Sequence, residues 1–261
     1  MMYCSYGNGE RLAPNDRHKE VLLESARSLA SRFNPTTGCI RSWDNWGPDF
    51  PWQYPVIIDN MMNLELLFWA ARESGDSTFY KIAVTHADTT MKNHFRPDYS
   101  SFHVVDYDTL SGKVLGRQTH QGYADSSAWA RGQAWGLYGF VTCYRFTGDE
   151  RYLQQAEAIA DFILNHPRLP EDMIPYWDFD APNIPDEPRD ASAGAIAASA
   201  LYELALYSDP KYADAADRML ASLSSDSYTA PVGENGNFIL MAIYRALKNE
   251  NKPRIYRVEI R

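Results

Sequence analysis

Apolar positions along this chain recur at helical spacing, in paired segments. Across 149–165, Tyr152, Ala156, Ile159, Ala160 and Ile163 fall on one helix face with charges between them. Segments 77–95 and 210–223 follow the same amphipathic pattern. The segments that precede them, 59–74, 126–147 and 190–207, are more apolar and richer in small residues, as in the run Ala191 to Ala198. A helix that is apolar nearly all round is buried, so each pair is predicted to be an inner helix followed by an outer one. The junctions share one plan: Gly75-Asp76, Gly148-Asp149 and Ser208-Asp209 each place a small stop residue before an acidic start, with an aromatic about one turn later. Asn15-Asp16 before His18 is a looser fourth instance.

Helix pairs repeated at this period predict a solenoid or a closed ring of hairpins. Loops 34–58, 96–124 and 166–189 each lead into an inner helix, so they gather on one face, where a site would be built. Within the second loop, Phe102–Tyr107 and Lys113–Gly116 around the turn Ser111-Gly112 predict a short β-hairpin. No linker or low-complexity tract interrupts the pattern, and residues 1–261 are expected to form a single all-α domain.

Charge and composition narrow the function. A net charge of −9 argues against a nucleic-acid partner. Cys4, Cys39 and Cys143 are few and widely spaced, suggesting neither a zinc site nor a disulfide framework. No apolar run is long enough to span a bilayer. Met1 to Tyr6 lacks the basic and apolar regions of a signal peptide, so the chain as read is expected in the cytoplasm, or in the periplasm if a longer N-terminus carries a signal. Trp43, Trp46, Trp52, Tyr54, Tyr176 and Trp177 sit in loop-like stretches, and such flat apolar rings suit the C–H faces of sugars.

Each inner helix is expected to begin at or beside an acid: Asp59, Asp125 and Asp190. Capping lowers a carboxyl pKa, whereas a general acid needs it raised by burial. Asp59, with Val56, Ile57 and Ile58 before it and Trp52 and Tyr54 near, is the better acid candidate; Asp190, beside Arg189, is the worse; Asp125 is a second acid candidate. Arg131 falls on an apolar inner helix with Trp135 one turn on, so it pairs either with an internal acid or with a substrate carboxylate. His103 and His120-Gln121 flank the hairpin. No HExxH, Ser-His-Asp, GxGxxG or P-loop pattern appears.

The runs Asp59 to Leu64, His120 to Ser127 and Trp129 to Gly136 resemble glycoside hydrolase family 88, the unsaturated glucuronyl hydrolases, and the resemblance extends from about Met2 to Met241. The sister family of unsaturated rhamnogalacturonyl hydrolases usually carries Arg-Gly-Asn-Gly-Trp where this chain has Arg131 to Trp135. The resemblance implies an (α/α)6 barrel that is incomplete here. It implies hydration of the C4=C5 vinyl ether of a 4,5-unsaturated uronic acid at the non-reducing end of lyase-generated oligosaccharides, without cofactor or metal. Residue by residue, Asp59 matches the catalytic Asp; His103, Gln121, Arg131 and Trp135 match sugar contacts; Trp43 or Trp46 matches an aromatic wall. The family's second important Asp lies in a His-Asp motif that would precede Met1, so the first hairpins are expected to be absent, and 242–261 departs from the family pattern as an atypical tail. An unsaturated rhamnogalacturonyl hydrolase of the sister family and an inactive, truncated acidic-glycan-binding helical module are the competing expectations.

Overall fold

The computed structural model describes residues 2–44 and 51–229. After a π-helical turn Tyr3–Gly7, the elements are α1 (Asn8–Leu12), α2 (Asp16–Ala30), β1 (Phe33–Asn34), β2 (Cys39–Ile40), β3 (Pro55–Ile57), a 3-10 turn (Ile58–Asn63) and α3 (Leu64–Ser74). Then come α4 (Ser77–Asn93), β4 (Val104–Tyr107), β5 (Val114–Gln118), α5 (Ala130–Thr147), α6 (Glu150–Leu164), α7 (Ala191–Leu204) and α8 (Lys211–Leu223).

Helices α3, α5 and α7 form the inner row: α5 packs against α3 and α7, and α4, α6 and α8 each pack on the helix before them. The layering follows residue type. In α5 most residues are buried, including Gly132, Gly136, Gly139 and Phe140. α8 buries only one stripe, among them Tyr212, Ala215, Ala216 and Met219. The tight turns close as the sequence predicts. Gly75 and Gly148 adopt the left-handed conformation, at φ 73° and 66°. Asp76, Asp149 and Asp209 then accept the N–H of the residue two further on, at 2.8, 3.0 and 2.8 Å.

At the opposite end of the hairpins the inner helices start differently from expectation. Asp59 lies within the 3-10 turn, not at a cap. α5 begins only at Ala130, so Asp125 is five residues ahead of it on an exposed loop, where its Oδ1 accepts the Thr119 N–H at 2.8 Å. Of the three acids only Asp190 is a true cap, taking the Ala193 N–H at 2.9 Å. The hairpin of the second loop is present, and the preceding loop adds a third strand that the sequence pattern did not announce. The sheet runs β3-β4-β5, antiparallel, with Ile57 opposite Val104 and Val104 opposite Gln118. Pro55-Val56-Ile57 is too short to show alternation, and its partner is nearly fifty residues away.

Candidate active site

The strand register assembles the site. β3 runs directly into the 3-10 turn, and β4 begins just after His103. Pairing Ile57 with Val104 sets Ile58 opposite His103, whose carbonyl accepts the Ile58 N–H at 3.0 Å. Asp59 and His103 therefore meet at the end of one ladder, with Asp59 Oδ2 3.9 Å from His103 Nε2. The two side chains are 13% and 1% exposed. Neither of these atoms has a hydrogen-bond partner among the described residues.

The turn that carries Asp59 is seated on α5 through missing side chains. A Cβ on Gly132 would stand 2.8 Å from Ile58 Cγ2, and one on Gly139 would stand 2.4 Å from Met61 Cβ and 3.0 Å from its carbonyl oxygen. Asn60 anchors the turn from the other side, donating to the Ile40 carbonyl at 2.7 Å. Behind it, His94 donates from Nε2 to the Val56 carbonyl at 3.0 Å.

Burial dominates the electrostatics. The low-dielectric surroundings push the Asp59 carboxyl up to about 7, against an opposing pull from its own backbone amide and from Arg131. His103 is pushed down to about 3, first by burial and then by His120 and His94. Its tautomer is fixed by geometry. The N–H groups of His120 and Gln121 both donate to Nδ1, at 3.0 and 3.1 Å, so the ring proton sits on Nε2, facing Asp59. The pair is thus a carboxyl group that stays protonated below about 7 beside a neutral imidazole N–H donor.

Aromatic rings surround this pair. Trp129 lies 4.6 Å from the His103 ring. Trp43 is 6.2 Å from His103, 5.2 Å from His120 and 5.5 Å from Trp52. Trp52 donates from its indole nitrogen to Gln118. Arg131 lies 5.5 Å from the Trp129 ring centroid. Its Nε and Nη2 donate to Asp190 Oδ2 at 3.1 and 2.8 Å. Arg131 therefore has an internal acid. Arg189, which the sequence sets beside Asp190, turns away to Asp172 at 2.7 Å.

The structure brings Asp59, His103, Arg131 and Trp43 into one neighbourhood. Gln121 enters it through its backbone N–H and is half-buried. Trp135 is half-buried one turn beyond Arg131 and meets Tyr138 edge-on at 5.8 Å. Asp125 stays outside, bracing the loop that delivers His120 and Gln121. Trp46 lies outside the described residues. Sequence reasoning missed Trp129, Asp190 as the partner of Arg131, and Asp178. The last is fully buried with a raised pKa caused by burial, and it accepts from Tyr123 N–H at 2.9 Å and the Ser127 hydroxyl at 2.7 Å. Trp129, two residues before Arg131 and directly before the helix, was the one legible signal among them. Among the described residues no group of three or more His, Cys, Asp or Glu side chains converges as a metal site would, and no helix is long and apolar enough to cross a membrane.

No family profile matches the chain. An unsaturated glucuronyl hydrolase from Formosa agariphila is 53% identical over 241 residues, which is 92% of this chain and 60% of that protein. The chain belongs to the unsaturated glucuronyl hydrolases, glycoside hydrolase family 88. A solved unsaturated glucuronyl hydrolase specific for heparin superposes with a TM-score of 0.87 at 54% identity, covering 92% of this chain and 64% of that one. The unsaturated glucuronyl hydrolase of Bacillus sp. GL1, responsible for the degradation of glycosaminoglycan, superposes with a TM-score of 0.84 at 34% identity, covering 91% and 64%. The unsaturated glucuronyl hydrolase fold is an α/α barrel, of which the inner and outer helices above are part. The chain spans about 60% of the length of the Formosa unsaturated glucuronyl hydrolase.

Proposed function

We propose that this chain releases 4,5-unsaturated uronic acid from the non-reducing end of lyase-generated oligosaccharides, with Asp59 as its acid–base residue. The observation that carries the reading is the Asp59–His103 pair: a buried carboxyl raised to about 7, 3.9 Å from a histidine whose proton is fixed on the near nitrogen. Family membership and the ring of Trp43, Trp52 and Trp129 support it.

In this reaction Asp59 gives its proton to C4 of the vinyl ether. The positive charge that develops at C5 is met by water, whose proton passes to the Asp59 carboxylate. The hemiketal at C5 then collapses, the ring opens, and the aglycone leaves. One carboxyl serves both proton transfers, so the paired-carboxylate spacing of ordinary glycosidases does not apply. The His103 N–H steadies Asp59 while it is ionised, and Arg131 is assigned to the substrate carboxylate borne by C5. His103, Gln121, Arg131 and Trp135, with Trp43 or Trp46 as a wall, are the sugar contacts in this proposal.

The test uses the full chain with unsaturated disaccharides from heparin and chondroitin lyases. Loss of the ultraviolet absorbance of the conjugated C4=C5 bond is expected with at least one of them. Binding of these sugars without any loss of absorbance would instead support a glycan-binding module and overturn the proposal.

A further inference from the structure

Arg131 and Asp190 carry information beyond the reaction itself. Asp190 is 2% exposed, and both of its oxygens are engaged. Oδ1 caps α7 through the Ala193 N–H at 2.9 Å. Oδ2 takes the Nε and Nη2 edge of Arg131 at 3.1 and 2.8 Å, and Nε also reaches Oδ1 at 3.4 Å. The capping bond ties this carboxylate to the first turn of a helix with little freedom to move. The Arg131 side chain is 20% exposed and lies over Trp129, so it too is confined. Nη1 donates no hydrogen bond among the described residues. A guanidinium recognises a carboxylate side-on through Nε and one Nη, or end-on through both Nη atoms. Here the side-on edge is occupied from within the protein.

We infer that Asp190 is a positioning residue: it holds Arg131 by its Nε edge, so that only the Nη edge can meet a substrate carboxylate and only part of its positive charge acts on Asp59. The substrate half of this inference rests on the function proposed above; the electrostatic half does not. Asp59 is faced by His103 at the start of β4 and by Arg131 on α5; Arg131 is faced by Asp59 and by Asp190 on α7; His120 stands behind His103. His103 is neutral across the working range, so among the described residues Arg131, tempered by Asp190, is the cation that acts on Asp59.

The experiment follows the protonation midpoint of the Asp59 carboxyl by carbon NMR in the full chain, with Asp59→Asn to assign the signal. Asp190→Asn keeps a competent helix cap but removes the charge. It is expected to lower the midpoint by about half a pH unit or more, because an unmasked cation favours the carboxylate. Asp190→Glu is expected to stay close to wild type. In an Arg131→Gln background, Asp190→Asn is expected to change nothing. An unchanged midpoint in Asp190→Asn, or an equal fall with and without Arg131, overturns the inference. Asp190→Ser, which also caps, gives the same reading if the Asn variant does not fold. The titration needs no turnover. A chain inactive on every lyase product therefore defeats the proposed function while the NMR result still decides the role of Asp190.

Discussion

The two ends of the same helical hairpins are built by different means. At the tight-turn end, each junction closes on itself: Gly148 stops α5 and Asp149 caps α6 through a residue two positions away. At the site end, the bonds that fix geometry span the chain. Asp106 holds the Gln53 and Tyr54 N–H groups from more than fifty residues away, Asp178 holds Tyr123 and Ser127, and Asp190 holds Arg131. The first end is a local product of sequence and serves stability. The second exists only once the inner row is packed, and there buried acids and histidines are tolerated at a cost to stability, as the chemistry proposed above would require.

The largest expected effect separates the two ends by activity. Asp59→Asn should reduce turnover of an unsaturated disaccharide by about 10²–10⁴-fold, the usual worth of acid–base catalysis. It should also make the fold more stable at alkaline pH. Asp59 is raised from an ordinary carboxyl value to about 7, so the native state holds a proton that the unfolded state has lost. Wild-type stability from this group therefore falls as pH rises from about 4 to 7, and Asn relieves a penalty on the order of 2–4 kcal/mol above that range. Urea unfolding of both proteins at pH 5 and pH 8 reads the difference; a variant less stable than wild type at pH 8 would contradict it.

Next comes acid lability. His86, His94 and His103 are pushed down to about 3, 4 and 3, chiefly by burial. The unfolded chain takes up protons below about 6.5 that the native state refuses. Stability is thus intact above that pH and lost as pH falls towards 4, at about 3 kcal/mol per unit after Asp59's opposite contribution is subtracted. Denaturant midpoints measured between pH 4.5 and 7 check the slope. A flat profile would mean that the site end is not the weak end.

Smaller still, Gly139→Ala forces a methyl against Met61 Cβ and the Met61 carbonyl. The expected loss is about 1–3 kcal/mol of stability. A fall in kcat should accompany it, because the displaced turn carries Asp59. The least effect belongs to the other end. Asp149→Ala should cost about 1 kcal/mol, leaving kcat and KM unchanged. A change in KM there would blur the division between the ends.

The division also explains what could be read beforehand. Periodicity and junction residues gave the helix pairs and the order of inner and outer, because both depend on neighbours within a few positions. The acidity of Asp59 followed from its apolar flanks. Its neighbour His103 was a candidate for sugar contact, but their meeting depends on the pairing of Ile57 with Val104, which no local pattern encodes. Arg131 was left between an internal acid and a substrate carboxylate; its acid proved to be Asp190, fifty-nine residues on, while the adjacent Arg189 went to Asp172. Asp125 shows the converse error: an acid before a helical run looks like a cap, yet the chain makes a further loop before α5 starts.

The internal neutralisation of Arg131 bears on how the proposed anionic sugar would arrive. Below about pH 7, with Asp59 protonated, His103 uncharged and the Arg131 charge matched by Asp190, these four side chains carry almost no net charge, inside a chain of net charge −9. A group so balanced exerts little long-range pull. Encounter then proceeds against the field of an acidic chain and relies on ring stacking after contact, so association should rise modestly with ionic strength, the opposite of proteins that draw acidic polysaccharides through a field of exposed lysines and arginines.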